Sequence, residues 1–303
     1  MSRDDASLLP NTDTAQLSGL LLTARRMVDG LYAGRHRSNR RGQSTEFDDF
    51  RPYTPGDEPR KVDWKLYGRT DRLYVRQYRH DAQLSVHLVV DRSTSMDFAG
   101  LHSDSPQATK LDHARLLAAS LAYLAIRQSD RVSLTFIDHS AEAASPVGGT
   151  QQHLRSLVEQ LETLSPQGQT QPVEALRLAH QHIARQATSG GHGLVIVLSD
   201  LLTRPSEWLA GLGRFARDRY DVLVLHTLSP DELDLGSIGA RQLVDSETGR
   251  RTRTAGANTR TSYRDTINRH INALRQGFST HRIDYQLART DQSVVETLVR
   301  CLQ

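Results

Sequence analysis

Residues 83–96, QLSVHLVVDRSTSM, carry an alternating and then continuous apolar run that stops abruptly at an aspartate followed by two spaced serines. Leu84, Val86, Leu88, Val89 and Val90 are mostly β-branched or bulky, and the run is too short for a buried helix, so it reads as a core strand. In a parallel sheet such a strand is buried on both faces. The residues just past its carboxyl end then face a crevice, the place where open α/β sheets bind ligands. Asp91, Ser93 and Ser95 occupy that place. Their carboxylate and hydroxyl oxygens are hard ligands, suited to Mg2+ or Mn2+ rather than to a soft metal.

Strand and helix alternate downstream. A Leu- and Ala-rich helix is expected over 111–128, a strand over 131–138, an edge-like segment over 141–147 and a helix over 151–164. The loop 165–171 is closed by Pro172, whose missing N–H needs no partner in the first turn of the next helix, running to about residue 187. A short apolar strand, 194–198, ends at Ser199 and Asp200, a second aspartate behind a buried strand. Then come a helix over 205–220, a strand over 222–228, a hairpin-like insertion over 241–253 carrying Asp245, Glu247 and Gly249, a helix over 263–278, a strand over 283–288 and a helix over 294–302. Such alternation implies an α/β fold with a doubly wound, mostly parallel sheet of Rossmann type.

Two domains are expected: 83–303 as the sheet domain with an insertion near 229–260, and 1–82 as a helix plus an aromatic, Arg-rich subdomain. In the latter, 13–31 opens on an Asp13/Gln16 capping pair and sets Leu17, Leu20, Leu21, Ala24, Val28 and Leu31 on one face, which is expected to pack against its own domain. Residues 34–81 have poor periodicity, frequent Gly and Pro, and Phe47, Phe50, Tyr53, Trp64 and Tyr67 among the charges. They read as irregular but ordered. The alternation at 73–78 is that of a strand able to join the main sheet.

At 303 residues and 37% hydrophobic the chain can bury a real core. The single Cys301 excludes an intrachain disulfide framework and a thiolate zinc cluster, which fits a reducing compartment. With no apolar run long enough for a bilayer and no signal-peptide pattern, a cytoplasmic protein is expected. The formal charge is only +3, although positive residues crowd 25–79 and 241–275. Arginine outnumbers lysine throughout, core helices included, so the bias is read as compositional and nucleic acid is not an expected partner.

Three loops that follow or flank expected strands offer oxygen ligands: Asp91, Ser93 and Ser95 in the first, Thr170 in the second, Asp200 in the third. This set, Asp91-x-Ser93-x-Ser95 with Thr170 and Asp200, resembles the metal-ion-dependent adhesion site of von Willebrand factor A domains, over about 83–303. The resemblance implies a bound Mg2+, Mn2+ being suited as well, whose open coordination place takes a partner protein's Asp or Glu. Two departures point to weaker ion binding: the second loop reads Gly168-Gln-Thr170-Gln-Pro172 where many such domains have more glycine, and Leu201 follows Asp200 where glycine is frequent.

The preceding stretch, with Gly34-Arg-His36-Arg-Ser38, Glu46-Phe47, Arg51-Pro-Tyr53, Pro55-Gly56-Asp57, Arg60 and Val62-Asp63-Trp64, resembles the family called domain of unknown function fifty-eight. Asp245-Ser-Glu247-Thr-Gly249 is similar to that family's late insertion. This resemblance implies a bacterial or archaeal, non-enzymatic protein-binding module or adaptor working beside a MoxR-type AAA+ ATPase, in chaperone-like, metal-insertion or complex-assembly roles.

Two enzymatic alternatives differ in their demands. A divalent-metal nuclease would use Asp57, Asp63 and Lys65, a loose imitation of a carboxylate pair plus lysine that lacks a strand-turn-strand frame. A phosphohydrolase would use Asp91 as nucleophile, but Ser93 stands where its general acid is needed. No G-x-x-x-x-G-K-[ST] or G-x-G-x-x-G follows a strand, so ATP hydrolysis is assigned to a partner. His36, His80, His113 and His180 are read as surface or helix-packing groups rather than zinc ligands.

Overall fold

A computed structural model describes residues 19–35, 47–54, 62, 64–78, 83–100, 108–186, 193–235, 242–244, 251–253 and 258–301. In chain order the elements are α1 (Gly19–Arg35), β1 (Phe47–Pro52), α2 (Trp64–Thr70), β2 (Tyr74–Tyr78), β3 (Ser85–Asp91), α3 (Lys110–Arg127), β4 (Arg131–Ile137), β5 (Ala141–Gly148), α4 (Gln151–Thr163), α5 (Pro172–Gln186), β6 (Gly193–Ser199), α6 (Pro205–Arg217), β7 (Asp221–Leu228), α7 (Pro230–Leu233), β8 (Gln242–Val244), β9 (Arg251–Arg253), α8 (Asn258–Thr280), β10 (Ile283–Arg289) and α9 (Val294–Cys301). The expected α/β alternation is the one observed. Its main sheet has six strands in the order β10-β7-β6-β3-β4-β5, parallel except for the edge strand β5.

The chain divides into two compact units, 33–83 and the remainder. The helix expected with the first domain belongs instead to the sheet unit: Leu21, Ala24 and Val28 of α1 are buried in the core formed with α3 and α4. Its expected Asp13/Gln16 cap lies outside the described residues. The apolar stripe was legible, and it is burial of that stripe that assigns a helix to a core.

Period-two alternation on the strands builds two layers. Val86, Leu88 and Val90 of β3 point into a core closed by α1, α3, α4 and α9, whereas Val89 points into a second core closed by α5, α6 and α8. Both faces of β3 are covered, which is why its run becomes continuously apolar at Leu88, Val89 and Val90.

After β3 the chain adds β4 and β5 on one side and then returns to place β6 on the other. Outward growth therefore reverses between β3 and β6. In doubly wound sheets the crevice outside the carboxyl ends at such a reversal is the ligand site. Asp91 ends β3, and Asp200 follows β6 directly.

Helices α5 and α6 pack closely at Gly211, where an added Cβ would lie 2.6 Å from Leu176 Cδ1 and 3.0 Å from the Pro172 carbonyl oxygen. Gly211→Ala is expected to cost about 1–3 kcal/mol in a urea titration, the cost of overpacking a dense core. An unchanged urea midpoint would show that the contact has slack.

Unit 33–83 stands on its own small sheet. β1 and β2 pair antiparallel, Val62 bridges to Val75, and these two valines are buried. The strand expected at 73–78 thus pairs with β1 and does not join the main sheet. Helix α2 was not expected. It carries exposed Trp64 and Tyr67 in edge-on contact, so it lacks the buried stripe by which a helix is recognised in a sequence. β8 and β9 form the expected late hairpin; Asp245, Glu247 and Gly249 lie outside the described residues. Among the described residues, no helix is long and apolar enough to cross a membrane.

Candidate functional site

Asp91 is the centre of the site because both of its carboxyl oxygens accept hydrogen bonds. Its Oδ1 accepts from the Ser93 N–H at 2.9 Å, its Oδ2 accepts from Ser199 Oγ at 2.6 Å, and Thr170 Oγ1 lies 3.3 and 3.2 Å from the two. Asp91 is fully buried. Burial, and then the charge of Asp200, push its carboxyl up to about 7, against the opposing hydrogen bonds from Ser199 and Ser93.

The turn after Asp91 brings the Oγ atoms of Ser93 and Ser95 to 3.1 Å from each other. Two cis ligands of an octahedral Mg2+ at 2.0–2.1 Å stand about 2.9 Å apart. The D-x-S-x-S loop therefore holds its hydroxyls at a spacing one small cation could bridge. The loop is anchored by Arg92, whose N–H donates to the Ile137 carbonyl at 2.9 Å and whose Nε donates to Asp138 Oδ2 at 3.1 Å.

Thr170 lies between two helices, α4 and α5, rather than behind a strand. It reaches Asp91 because Gln171 N–H bonds the Asp138 carbonyl at 3.0 Å, tying the loop to the end of β4. Gly168 is the one glycine this loop needs: its φ is +70°, and a Cβ there would sit 3.2 Å from His139 Nδ1. Its carbonyl accepts from both the N–H and the hydroxyl of Thr94.

Asp200 is held by side chains that the sequence reading did not single out. Lys110, the first residue of α3, sends Nζ to Asp200 Oδ2 at 2.6 Å and to Glu232 Oε1 at 2.6 Å. It is fully buried and lies 5.8 Å from the centre of the Phe98 ring. Burial pulls the ammonium down, but the charges of Asp200 and Glu232 and their hydrogen bonds outweigh it, so its pKa stands above the ordinary lysine value. Glu232 is raised, by burial first; the pull of Lys110 is outweighed because Asp200 adds its own repulsion.

The backbone behind Asp200 is clamped by two histidines. Burial pushes His226 down to about 3, so the ring is neutral. The Asp200 carbonyl can only accept, so Nε2–H of His226 donates to it at 2.7 Å, and Nδ1 accepts from the Tyr285 hydroxyl at 2.6 Å. His270 Nε2 likewise meets the Leu201 carbonyl at 2.8 Å. These clamps explain the missing glycine. Leu201 takes φ +49°, a left-handed conformation costing roughly 1–2 kcal/mol. Its side chain is fully buried in the second core, which offsets that strain.

Of the five expected ligands, Asp91 meets Ser93 and Thr170, Ser93 meets Ser95, and the charge of Asp200 acts on Asp91; each of the five is 8% exposed or less. Among the described residues no three His, Cys, Asp or Glu gather as a metal site, so a cation here would depend on the hydroxyls. Of the four histidines read as packing groups, His113 is buried and His180 contacts Asp218 and Phe215; His36 and His80 lie outside the described residues, as do Asp57 and Asp63 of the nuclease alternative.

The sheet is doubly wound and mostly parallel. Similar solved structures include an aerotolerance-related membrane protein from Bacteroides fragilis, with TM-score 0.49 and 19% identity over 71% of this chain and 96% of that one. BatB from Bacteroides thetaiotaomicron gives TM-score 0.48 and 18% identity over 72% and 98%. In sequence, "Uncharacterized protein Rv1480" of Mycobacterium tuberculosis is 30% identical over 235 residues, 78% of this chain and 71% of the relative. The sequence model described as "Protein of unknown function DUF58" matches residues 49–273, and the chain belongs to that family.

Proposed function

We propose that the chain is a non-enzymatic, cytoplasmic protein-interaction module in which Asp91, Ser93, Ser95, Thr170 and Asp200 hold Mg2+, or Mn2+, and in which that ion takes a carboxylate from a partner protein. The observation that carries this reading is the Ser93–Ser95 Oγ spacing of 3.1 Å beside two buried carboxylates. The donors are all hard oxygens, the chemistry these ions select. When bound, the ion would supply a positive centre that a partner Asp or Glu can complete. Asp91 orients Thr170 and the Ser93 turn, and Lys110 fixes Asp200. Both oxygens of Asp91 are engaged, which favours an orienting role over attack on a phosphate ester. Family membership supports an interaction module; a MoxR-type AAA+ ATPase is the partner we propose, with an adaptor role in chaperone-like or assembly work.

The test is calorimetry followed by capture. Wild type is expected to bind Mg2+ or Mn2+, and Ser93→Ala/Ser95→Ala to bind it about tenfold more weakly or worse, since lost ligands leave a buried site unsatisfied. Tagged wild type is expected to retain an AAA+ ATPase from native lysate in Mg2+ but not in chelator, and Asp91→Ala to retain none in either. Retention of the same proteins by Asp91→Ala in chelator would place the contact elsewhere.

A further inference from the structure

We propose that Lys110 and Glu232 form a built-in counter-ion couple that sets the charge of the candidate cation site, Lys110 opposing a divalent ion there and Glu232 offsetting that opposition. Lys110 is an unusual occupant of its position. It follows the N-cap Thr109, whose capping box with Asp112 is complete, so its ammonium is attached at the positive end of the α3 dipole, where a cation is disfavoured. It is also wholly removed from water, where a charge persists only if paired. The pairing is split between two elements. Asp200 behind β6 gives one oxygen, and Glu232 on α7 gives the other, each at 2.6 Å.

The second oxygen of Glu232 accepts from the Ser229 N–H at 2.9 Å, and its carbonyl accepts from the Tyr263 hydroxyl at 2.8 Å. Glu232 is therefore fixed by its own capping box and by α8. Lys110 in turn engages Oδ2 of Asp200, a carboxylate of the candidate ligand set. A permanent positive charge one carboxylate away from the ligand set lowers the site's pull on a dication, and a carboxylate on its far side restores it.

This inference rests on the cation-binding reading, and full-chain variants separate the two. Divalent affinity is measured by calorimetry with Mn2+ and with Mg2+ for wild type, Lys110→Met, Glu232→Gln and the double variant. Lys110→Met is expected to bind about tenfold more tightly and Glu232→Gln about tenfold more weakly, with the double variant within about threefold of wild type, because the interaction is one of charge. A purely structural role for the couple would weaken binding in both single variants, and that result overturns the proposal. If Lys110→Met does not fold in chelator, the near-isosteric Glu232→Gln decides alone: unchanged affinity overturns the proposal, as does weakening accompanied by a lowered urea midpoint, whereas affinity weakened about tenfold with an unchanged urea midpoint supports it. Absence of divalent binding by wild type would instead sink the cation-binding reading itself.

Discussion

Asp91→Asn is expected to stabilise the ion-free protein at pH 8 by several kcal/mol. The fully buried Asp91 carboxyl is pushed up to about 7 by burial and by Asp200, against 3.8 for the unperturbed group. Between those values the folded protein holds a proton that the unfolded chain has released. The stability Asp91 contributes is thus whole below pH 3.8 and is lost as pH rises through 7. A gap of about three pH units corresponds to about 4 kcal/mol. Asparagine fills the same space without charge, and the hydroxyls of Ser199 and Thr170 can turn to accept from its amide. In chelator, urea titrations should find the variant more stable at pH 8 and the gap nearly closed at pH 4. Added Mg2+ at pH 8 should stabilise wild type by mass action and leave the variant unmoved. A variant less stable than wild type at pH 8 in chelator would mean that Asp91 carries no unrelieved charge, and the site would lose its electrostatic reason to attract a cation.

How much of this was legible from residues alone depends on how local the physics is. The β3 strand and its terminal aspartate announce themselves because burial on both faces favours a mostly apolar run, broken here only by His87 before Leu88, Val89 and Val90. Ser199 and Asp200 end a second such run for the same reason. Thr170 was legible as a residue type but not as a place: a loop between two helices reaches Asp91 only through the Gln171–Asp138 backbone bond, which no periodicity encodes. Lys110 was invisible for a different reason. A lysine one residue past a capping threonine looks like any surface charge at a helix start, and only its partners, 90 and 122 residues away in sequence, show otherwise. One hint was present. In a chain that uses arginine nearly everywhere, lysine occurs only as Lys61, Lys65 and Lys110, and a compact ammonium suits a buried site split between two carboxylates better than a planar fork. His226 and His270 were missed because a histidine in a strand or helix carries no signal of what its ring touches. Assigning α1 to the wrong domain shows the limit of amphipathicity, which says that a face is buried but not against what.

Acidification of the ion-free protein from pH 6.5 to pH 4 is expected to be the larger threat to the fold. Burial holds His87 and His113 down to about 4 and His226 to about 3, against 6.5 for the free side chain. The sign is opposite to that of Asp91: the unfolded chain takes up protons first, so the stability these rings contribute is whole above pH 6.5 and is lost as pH falls toward 4. Each accounts for up to about 3 kcal/mol at pH 4. Three such losses outweigh the single gain of about 4 kcal/mol at Asp91 and are comparable with the whole 5–15 kcal/mol of a typical domain. Stability in chelator should therefore peak near pH 6.5 and collapse cooperatively between about pH 6 and pH 4. His113 allows the cleanest check, because its Nε2 is buried with no hydrogen-bond partner, so His113→Leu removes a proton acceptor without orphaning a neighbour. His226→Leu, by contrast, strands the Asp200 carbonyl and the Tyr285 hydroxyl and should lose about 2–4 kcal/mol even at pH 7.5. A circular-dichroism acid titration should move to lower pH in His113→Leu with no loss at pH 7.5. An acid midpoint that stays with wild type in His113→Leu would show that this ring does not carry the acid sensitivity, and would leave it to His87 and His226.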